Sequence, residues 1–248
     1  MPGTDGRRIY AIGDVHGCLD QLNAVLDRIA ADLDKRPHDA PLIVFLGDYT
    51  DRGPDSRGVL DRLIRLDTSA IPTVFLLGNH DHMFLEYIKD PGPRATDRYH
   101  WLSGPLGGIQ TLASYGVSTS LLSPRRAHDA FVRAVPESHV QFLSAARLFA
   151  RVGGYYFVHA GIRPGVPLDR QVMNDQIWIR EPFLSDTAPH PAVVVHGHTP
   201  TDRVENHGNR IGVDTGAVFG GRLSCVVLEN RLQAVLTDAG PVDLPVWH

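Results

Sequence analysis

Five apolar runs in this chain each lead straight into a short polar cluster that sets Asp, His or Asn beside glycine. Arg8–Ile12 ends in Gly13-Asp14-Val15-His16-Gly17, and residues 42–46 end in Gly47-Asp48-Tyr49-Thr50-Asp51-Arg52-Gly53. Residues 73–77 lead to Gly78-Asn79-His80-Asp81, Tyr155–Val158 to His159-Ala160-Gly161, and 192–195 to His196-Gly197-His198-Thr199-Pro200. Short β-prone runs bounded by such residues read as buried strands. Turn chemistry alone explains one of these clusters, because Gly, Asp and Asn suit loops. Five clusters that all offer oxygen or nitrogen donors imply one metal site divided among strand ends.

The order of elements supports a layered α/β fold. After the first strand, Leu19, Leu22, Val25, Leu26 and Ile29 recur at helical spacing; after the second, Val59, Leu60, Leu63 and Ile64 share a helix face. Strand–helix–strand–helix–strand implies a parallel sheet with right-handed crossovers, and ligands then sit beyond the carboxyl ends of the strands. From about residue 89 to 149 the pattern changes. Pro91-Gly92-Pro93 ends a helix, residues 101–108 are loop-like, and helices are predicted near 109–115 and 125–134, with a third from Pro136 through Leu148. This block reads as a helical cap. The strands at Tyr155–Val158, 192–195, 210–213, 223–228 and 233–237 are expected to form a second sheet packed on the first. The whole, residues 1–248, is predicted to be one α/β domain: a two-sheet β-sandwich flanked by helices.

Composition narrows the function. A net charge of −4 and a pI near 6.3 argue against nucleic-acid and anionic-membrane partners, which need a basic face. No apolar run approaches the roughly 18 residues of a membrane span, and the start of the chain lacks a signal-peptide core. Two cysteines, Cys18 and Cys225, cannot build a disulfide framework, so the cytoplasm is the expected location. Asp and His donors without Cys suit two Mn²⁺ ions, with Fe, Zn²⁺ or Co²⁺ also compatible, rather than a structural zinc. The surplus positive charge of such a pair complements a phosphate and a bound hydroxide.

In combination the five clusters resemble the metallophosphoesterase superfamily, and Asp51-Arg52-Gly53 is most similar to the bacterial and phage branch of serine/threonine phosphoprotein phosphatases. The resemblance implies that Asp14, His16 and Asp48 hold one metal and that Asp48, Asn79, His159 and His198 hold the other. It makes His80 the general acid, oriented by Asp51, with Arg52 and Arg180 binding phosphate oxygens; Arg180 belongs to Trp178-Ile179-Arg180. The implied substrates are proteins carrying phosphoserine, phosphothreonine or phosphotyrosine, or small phosphoesters. The alternative is a symmetrical hydrolase of dinucleoside polyphosphates such as diadenosine tetraphosphate, in which Asp at the place of Asp81 also occurs. Those enzymes tend to have Gln in place of His16 and a longer C-terminal region, so His16 and Trp178-Ile179-Arg180 favour the phosphatase.

Several residues admit two readings. His196 competes with His198 for one metal position, and the glycine spacing favours His198. Arg163 fits a surface ion pair better than a phosphate contact, and Cys18 a half-buried thiol better than a redox switch. His82 fits a structural place on the helix. Trp101 and Tyr99 fit either a substrate wall or the core of the cap. His38, His100, His128, His139, His190, His207 and His248 are expected on the solvated surface. The apolar tail, residues 241–248, suits docking on a partner chain or on its own domain, and oligomeric state is open.

Overall fold

A computed structural model describes residues 2–90, 101–119 and 123–247. Pro91-Gly92-Pro93, Tyr99, His100 and His248 lie outside the described residues. In chain order the elements are β1 (Arg8–Ile12), α1 (Leu19–Lys35), β2 (Pro41–Phe45), α2 (Ser56–Ile64), β3 (Thr73–Phe75) and α3 (Asn79–Lys89). There follow α4 (Gly108–Ser114), α5 (Pro124–Ala134), α6 (Glu137–Ala145), β4 (Phe149–Val152), β5 (Tyr155–Val158) and α7 (Met173–Trp178). The chain closes with β6 (Val193–His196), β7 (Glu205–Asn206), β8 (Arg210–Gly212), β9 (Cys225–Glu229), β10 (Leu232–Thr237) and β11 (Gly240–Asp243).

One sheet has the order β11-β10-β9-β1-β2-β3, the other β4-β5-β6-β8-β7. Strands β1, β2 and β3 are parallel, as are β5, β6 and β8. Alternation along β1 and β2 builds two cores at once. Ile9, Ala11, Leu42 and Val44 meet Phe157, Val195 and Ile211 between the sheets. Tyr10, Ile12, Ile43 and Phe45 face the helix layer with Leu22, Val25, Val59 and Leu60. Burial on both faces is why these strands read as continuous apolar runs.

The sheet assignment differs from expectation at the C-terminal end. β9 and β10 belong to the first sheet, because β9 pairs antiparallel with β1 from Arg8↔Glu229 to Ile12↔Cys225. The reason is the apolar edge of β1: Val226 and Leu228 continue the inter-sheet core while Cys225 and Val227 continue the helix-side core. Arg8 Nε donates to Glu229 at 2.7 Å and ties off the ladder. Strands β4, β7 and β11 and helix α7 were not legible from periodicity, being short. The helix predicted through Leu148 stops at Ala145; Arg147 instead bridges to β3, its N–H bonding Phe75 O at 2.9 Å and its carbonyl accepting from Leu77 at 2.8 Å. The tail docks on its own domain, with Arg203 stacked 4.2 Å over Trp247.

Helices α4, α5 and α6 pack on α2 and α3 through Leu112, Tyr115, Phe131 and Leu143. Phe131 sits edge-on to both Phe84 and Tyr115, ring centroids 5.3 Å apart in each pair. His139, expected at the surface, is fully buried here. Tyr115 Oη lies 2.6 Å from its Nδ1, and Asp61 lies 3.3 Å from its Nε2. Both partners are met by a neutral ring that accepts at Nδ1 and donates from Nε2.

Burial lowers the His139 pKa, and the carboxylate of Asp61 only partly opposes it. A group lowered on folding contributes stability that is whole above its unfolded pKa, about 6.5, and is lost as pH falls below it. His139→Gln is therefore expected to be less stable at pH 7.5 by about 1–3 kcal/mol, from a broken buried network. Its melting temperature is also expected to fall less steeply than wild type between about pH 6.5 and 5. Thermal melts at stepped pH check both; an unaltered slope would assign the acid loss to other groups.

Candidate active site

The carboxyl ends of β1, β2, β3, β5 and β6 deliver the five clusters to one place. The loops after β1 and β2 are bonded to each other: His16 N–H and Val15 N–H both reach Asp48 O, at 2.8 and 3.0 Å, and Gly17 N–H reaches Tyr49 O at 2.9 Å. These turns are tight. Of the seven non-glycine residues with positive φ among the described residues, five are His16, Asp48, Asp51, Arg52 and His198. Strained backbone of this kind gathers at functional sites. Approach is also close: a Cβ at Gly78 would stand 2.0 Å from Asp48 Oδ1, and one at Gly197 2.0 Å from Asp14 Oδ1.

Two donor sets share Asp48. One is His16, Asp48 and His80; the other is Asp48, His159 and His198; within each, the candidate atoms lie within 4.8 Å of one another. Asp48 Oδ2 is 3.5 Å from His16 Nε2 and 3.4 Å from His159 Nε2. His16 and His159 give their Nδ1 atoms to the carbonyls of Thr50 (2.8 Å) and Leu46 (2.9 Å). A carbonyl accepts only, so Nδ1 carries the proton and Nε2 turns its lone pair to the centre when the ring is neutral. Asn79 Oδ1 lies 3.0 Å from His159 Nε2 and 2.9 Å from His198 Nδ1. Asp14 stands outside both sets, its oxygens accepting the His198 N–H at 3.2 and 3.0 Å.

The electrostatics suit cations. Burial pushes His16 down to about 3, against the pull of Asp48. Burial and the neighbouring His159 push His198 down to about 2. Both rings are thus neutral donors at ordinary pH. Burial resists charge on His159, but Asp48 and Asp14 outweigh it and raise the ring to about 10. Burial likewise resists charge on Asp48, and His159 and His80 overcome it, holding the carboxylate well below its usual range. Asp14 is driven up by burial and by Asp214. His198 Nε2 is buried without a hydrogen-bond partner. An unpartnered imidazole nitrogen, crowded carboxylates and a donor set free of Cys fit hard or borderline divalent ions.

His80, a member of the first set, also forms a dyad. His80 Nδ1 is 2.7 Å from Asp51 Oδ2, and both residues are buried. Asp51 Oδ2 also accepts from Trp101 Nε1 at 2.6 Å, and Oδ1 from Thr111 Oγ1 at 2.7 Å. His80 N–H, at the start of α3, donates to Asp48 Oδ1 at 2.9 Å. Arg52 places Nη1 2.6 Å from His16 Nε2 and its guanidinium 5.5 Å from the Phe219 ring centre. Arg180 is exposed, yet its charge helps to lower the neighbouring His198. The Trp178 ring lies edge-on to His198 at 6.2 Å.

The open readings resolve in physical terms. His196 is the last residue of β6, so it shares a face with Val194 and packs on Phe183 at 5.1 Å, away from both donor sets. Arg163 forms a two-pronged pair with Asp175 at 2.7 and 2.6 Å. Cys18 is half-buried, and burial raises its thiol. His82 lies 3.9 Å from Glu86 on its own helix. Trp101 is core and site at once, packed on Tyr87 and bonded to Asp51. Asp81 holds loops: its carboxylate accepts from the N–H groups of Tyr49 (2.9 Å), Thr50 (3.3 Å) and Gly78 (3.1 Å). Burial and Asp48 raise it to about 7. Sequence reasoning missed Thr111 and Asp214. Asp214 had the same signal as the five clusters, since Asp214-Thr215-Gly216 follows closely on strand β8.

Comparison with known proteins agrees with this geometry. Residues 7–221 match the family model of the calcineurin-like phosphoesterases. The asymmetrical bis(5'-nucleosyl)-tetraphosphatase PrpE of Geobacillus thermodenitrificans is 26% identical, covering 96% of this chain and 95% of its own length. The protein of the same name from Bacillus subtilis is 25% identical, with 94% of each chain covered. Among solved structures, a candidate diadenosine tetraphosphatase superposes with a TM-score of 0.62 at 22% identity, over 100% of this chain and 97% of its own. A cold-active protein-tyrosine phosphatase of a psychrophilic Shewanella gives 0.61 at 19% identity, over 96% and 80%. With donor sets, dyad and fold in agreement, the chain belongs to the calcineurin-like phosphoesterases, a family of metal-dependent hydrolases.

Proposed function

We propose that this hydrolase cleaves dinucleoside tetraphosphates asymmetrically, to a nucleoside triphosphate and a nucleoside monophosphate. The observation that carries the reaction class is a pair of donor sets that share Asp48, with His80 of the first set bound to the buried carboxylate of Asp51. The named relatives, matched over almost their whole length, support the substrate. From sequence, phosphoproteins were expected first and symmetrical cleavage of dinucleotides second; the relatives' names support dinucleotides, cleaved asymmetrically.

Asp14, His16 and Asp48 would hold one divalent ion, and Asp48, Asn79, His159 and His198 the other; manganese is the first choice. Such a pair supplies a water acidic enough to attack at neutral pH and offsets phosphate charge. The chain's own groups do the rest. Asp51 accepts from His80 Nδ1 and steadies the imidazolium, leaving Nε2–H to protonate the departing oxygen. Thr111 and Trp101 orient Asp51 by donating to its two oxygens. Arg52 and Arg180 offer guanidinium groups to phosphoryl oxygens. Arg52 Nη1 occupies the His16 Nε2 lone pair here, so the two would have to part for His16 to serve as a ligand and Arg52 to meet phosphate.

A second reading is phosphoprotein phosphatase. The position of Trp178 and Arg180 beside His198 favours it, because the Trp178-Ile179-Arg180 segment resembles that of the phage-type enzymes.

Manganese-loaded protein is expected to convert diadenosine tetraphosphate to ATP and AMP, resolved by chromatography, with slower release of phosphate from phosphoserine and phosphotyrosine peptides. Rapid peptide turnover with an intact dinucleotide would install the second reading, and two ADP molecules would restore symmetrical cleavage. Asp51→Asn is expected to lower kcat about 10²- to 10⁴-fold with little change in KM, since it removes the partner of the general acid. Chelation is expected to abolish turnover and to lower the melting temperature, because buried carboxylates lose their counter-ions. A melting temperature indifferent to Mn²⁺ would count against the assigned ligands.

A further inference from the structure

Phe219 is 65% exposed, more than any other large apolar side chain among the described residues, and it stands on the rim of the site over Arg52. A solvent-exposed phenyl ring is unremarkable on a loose loop. This loop is tightly braced. Gln21 on α1 reaches across the chain to it: Nε2 donates to Ala217 O at 3.1 Å and Gly221 O at 3.3 Å, and Oε1 accepts from Leu223 N–H at 2.6 Å. Thr215 Oγ1 bonds Arg222 O and Ser224 Oγ, each at 2.5 Å. Asp214 Oδ1 accepts from Gly216 N–H at 2.9 Å, and Gly216 O accepts from Phe219 at 2.8 Å and from Gly221 at 3.0 Å. The side chains of Gln21, Thr215 and Asp214 thus hold a short turn whose exposed product is one aromatic ring beside the phosphate-binding arginine.

We propose that Phe219 is a specificity-determining residue that stacks on a planar ring carried by the substrate, and that Gln21 is the positioning residue that presents it. Under the dinucleoside tetraphosphate reading, on which the choice of ring rests, that ring is a nucleobase. The stacking partner is favourable for a physical reason. A ring carried on a braced backbone gives up less freedom when a base settles on it than one on a loose loop, and the Arg52 guanidinium beside it adds a cation to the stacked pair. Stacking of a base on an aromatic side chain accounts for about 5- to 150-fold in affinity. The competing role is local: Phe219 packs on Arg52 and merely steadies the phosphate contact.

The two roles separate in a ratio. kcat/KM is measured with manganese-loaded protein for diadenosine tetraphosphate against inorganic tetraphosphate, and for phosphotyrosine against phosphoserine. Stacking predicts that Phe219→Ala lowers the ring-to-ringless ratio about 5- to 150-fold, chiefly through KM. Phe219→Tyr restores the ratio, and Gln21→Ala gives an intermediate loss. Should Phe219→Ala fail to fold, Phe219→Leu keeps the apolar bulk and is scored in the same way. Equal losses with both members of a pair, or no loss, would overturn the proposal and leave Phe219 as a prop for Arg52. If wild type leaves diadenosine tetraphosphate intact, the substrate reading fails by itself. The phosphotyrosine-to-phosphoserine ratio then decides whether Phe219 stacks.

Discussion

Asp48 is a carboxylate with almost no exposure to solvent, and removing such a charge from water costs several kcal/mol unless it is paired and hydrogen-bonded. The surrounding structure supplies both. His80 N–H at the start of α3 bonds one oxygen, and His16 and His159 face the other. Because Asp48 lies at the end of β2, between β1 and β3, the three strands must end at nearly one level for these partners to arrive. The second sheet must bring β5 alongside as well, for His159. The sandwich is therefore the frame that one buried anion needs, and the short parallel strands follow from that need.

Bringing so many donors to one carboxylate forces the backbone into left-handed turns at His16, Asp48, Asp51, Arg52 and His198. Such turns hold only where neighbours over-determine them. Asp81 does this from below, gathering the amides of Tyr49, Thr50 and Gly78 on one carboxylate. Trp101 and Thr111 do it from the side, through Asp51. The helical block after α3 thereby enters the chemistry: Thr111 lies in α4, and the same helix packs Leu112 into the core shared with α2 and α3. Orientation of the His80 ring, through Asp51, is coupled to the packing of that block.

This division of labour explains what could be read from sequence. The candidate donors were legible because metal chemistry restricts residue type and because strand ends are marked by glycine. His198 over His196 was also legible, since a strand's two-residue period puts His196 on the face of Val194. Residues that act by bracing carry no such signature. A threonine in a helix, Thr111, or a glutamine in one, Gln21, is defined only by a partner far along the chain. His139 looked like a surface histidine because Tyr115 and Asp61 reach it from separate helices. Strands β9 and β10 were placed in the wrong sheet because an apolar run fits either side of a sandwich. The choice was made by the unpaired edge of β1, a tertiary fact.

The floor and the rim of the site obey different constraints, and this bears on how one fold carries enzymes named for different substrates. On the floor, Asp14, His16, Asp48, Asn79, His80 and His159 are buried, so any change there disturbs charge balance and backbone together. At the rim, Phe219, Trp178 and Arg180 are exposed, and a change in one of them removes little packing. Phosphoryl transfer asks the same of every substrate: offset the charge, position the attack, protonate the departing oxygen. Recognition of what the phosphate is attached to asks for something particular, and it falls to residues that vary at low cost to the fold. A floor of this construction tolerates little change, while exposed positions such as Phe219, Trp178 and Arg180 can be exchanged with little loss of packing, so the rim is where recognition is free to differ.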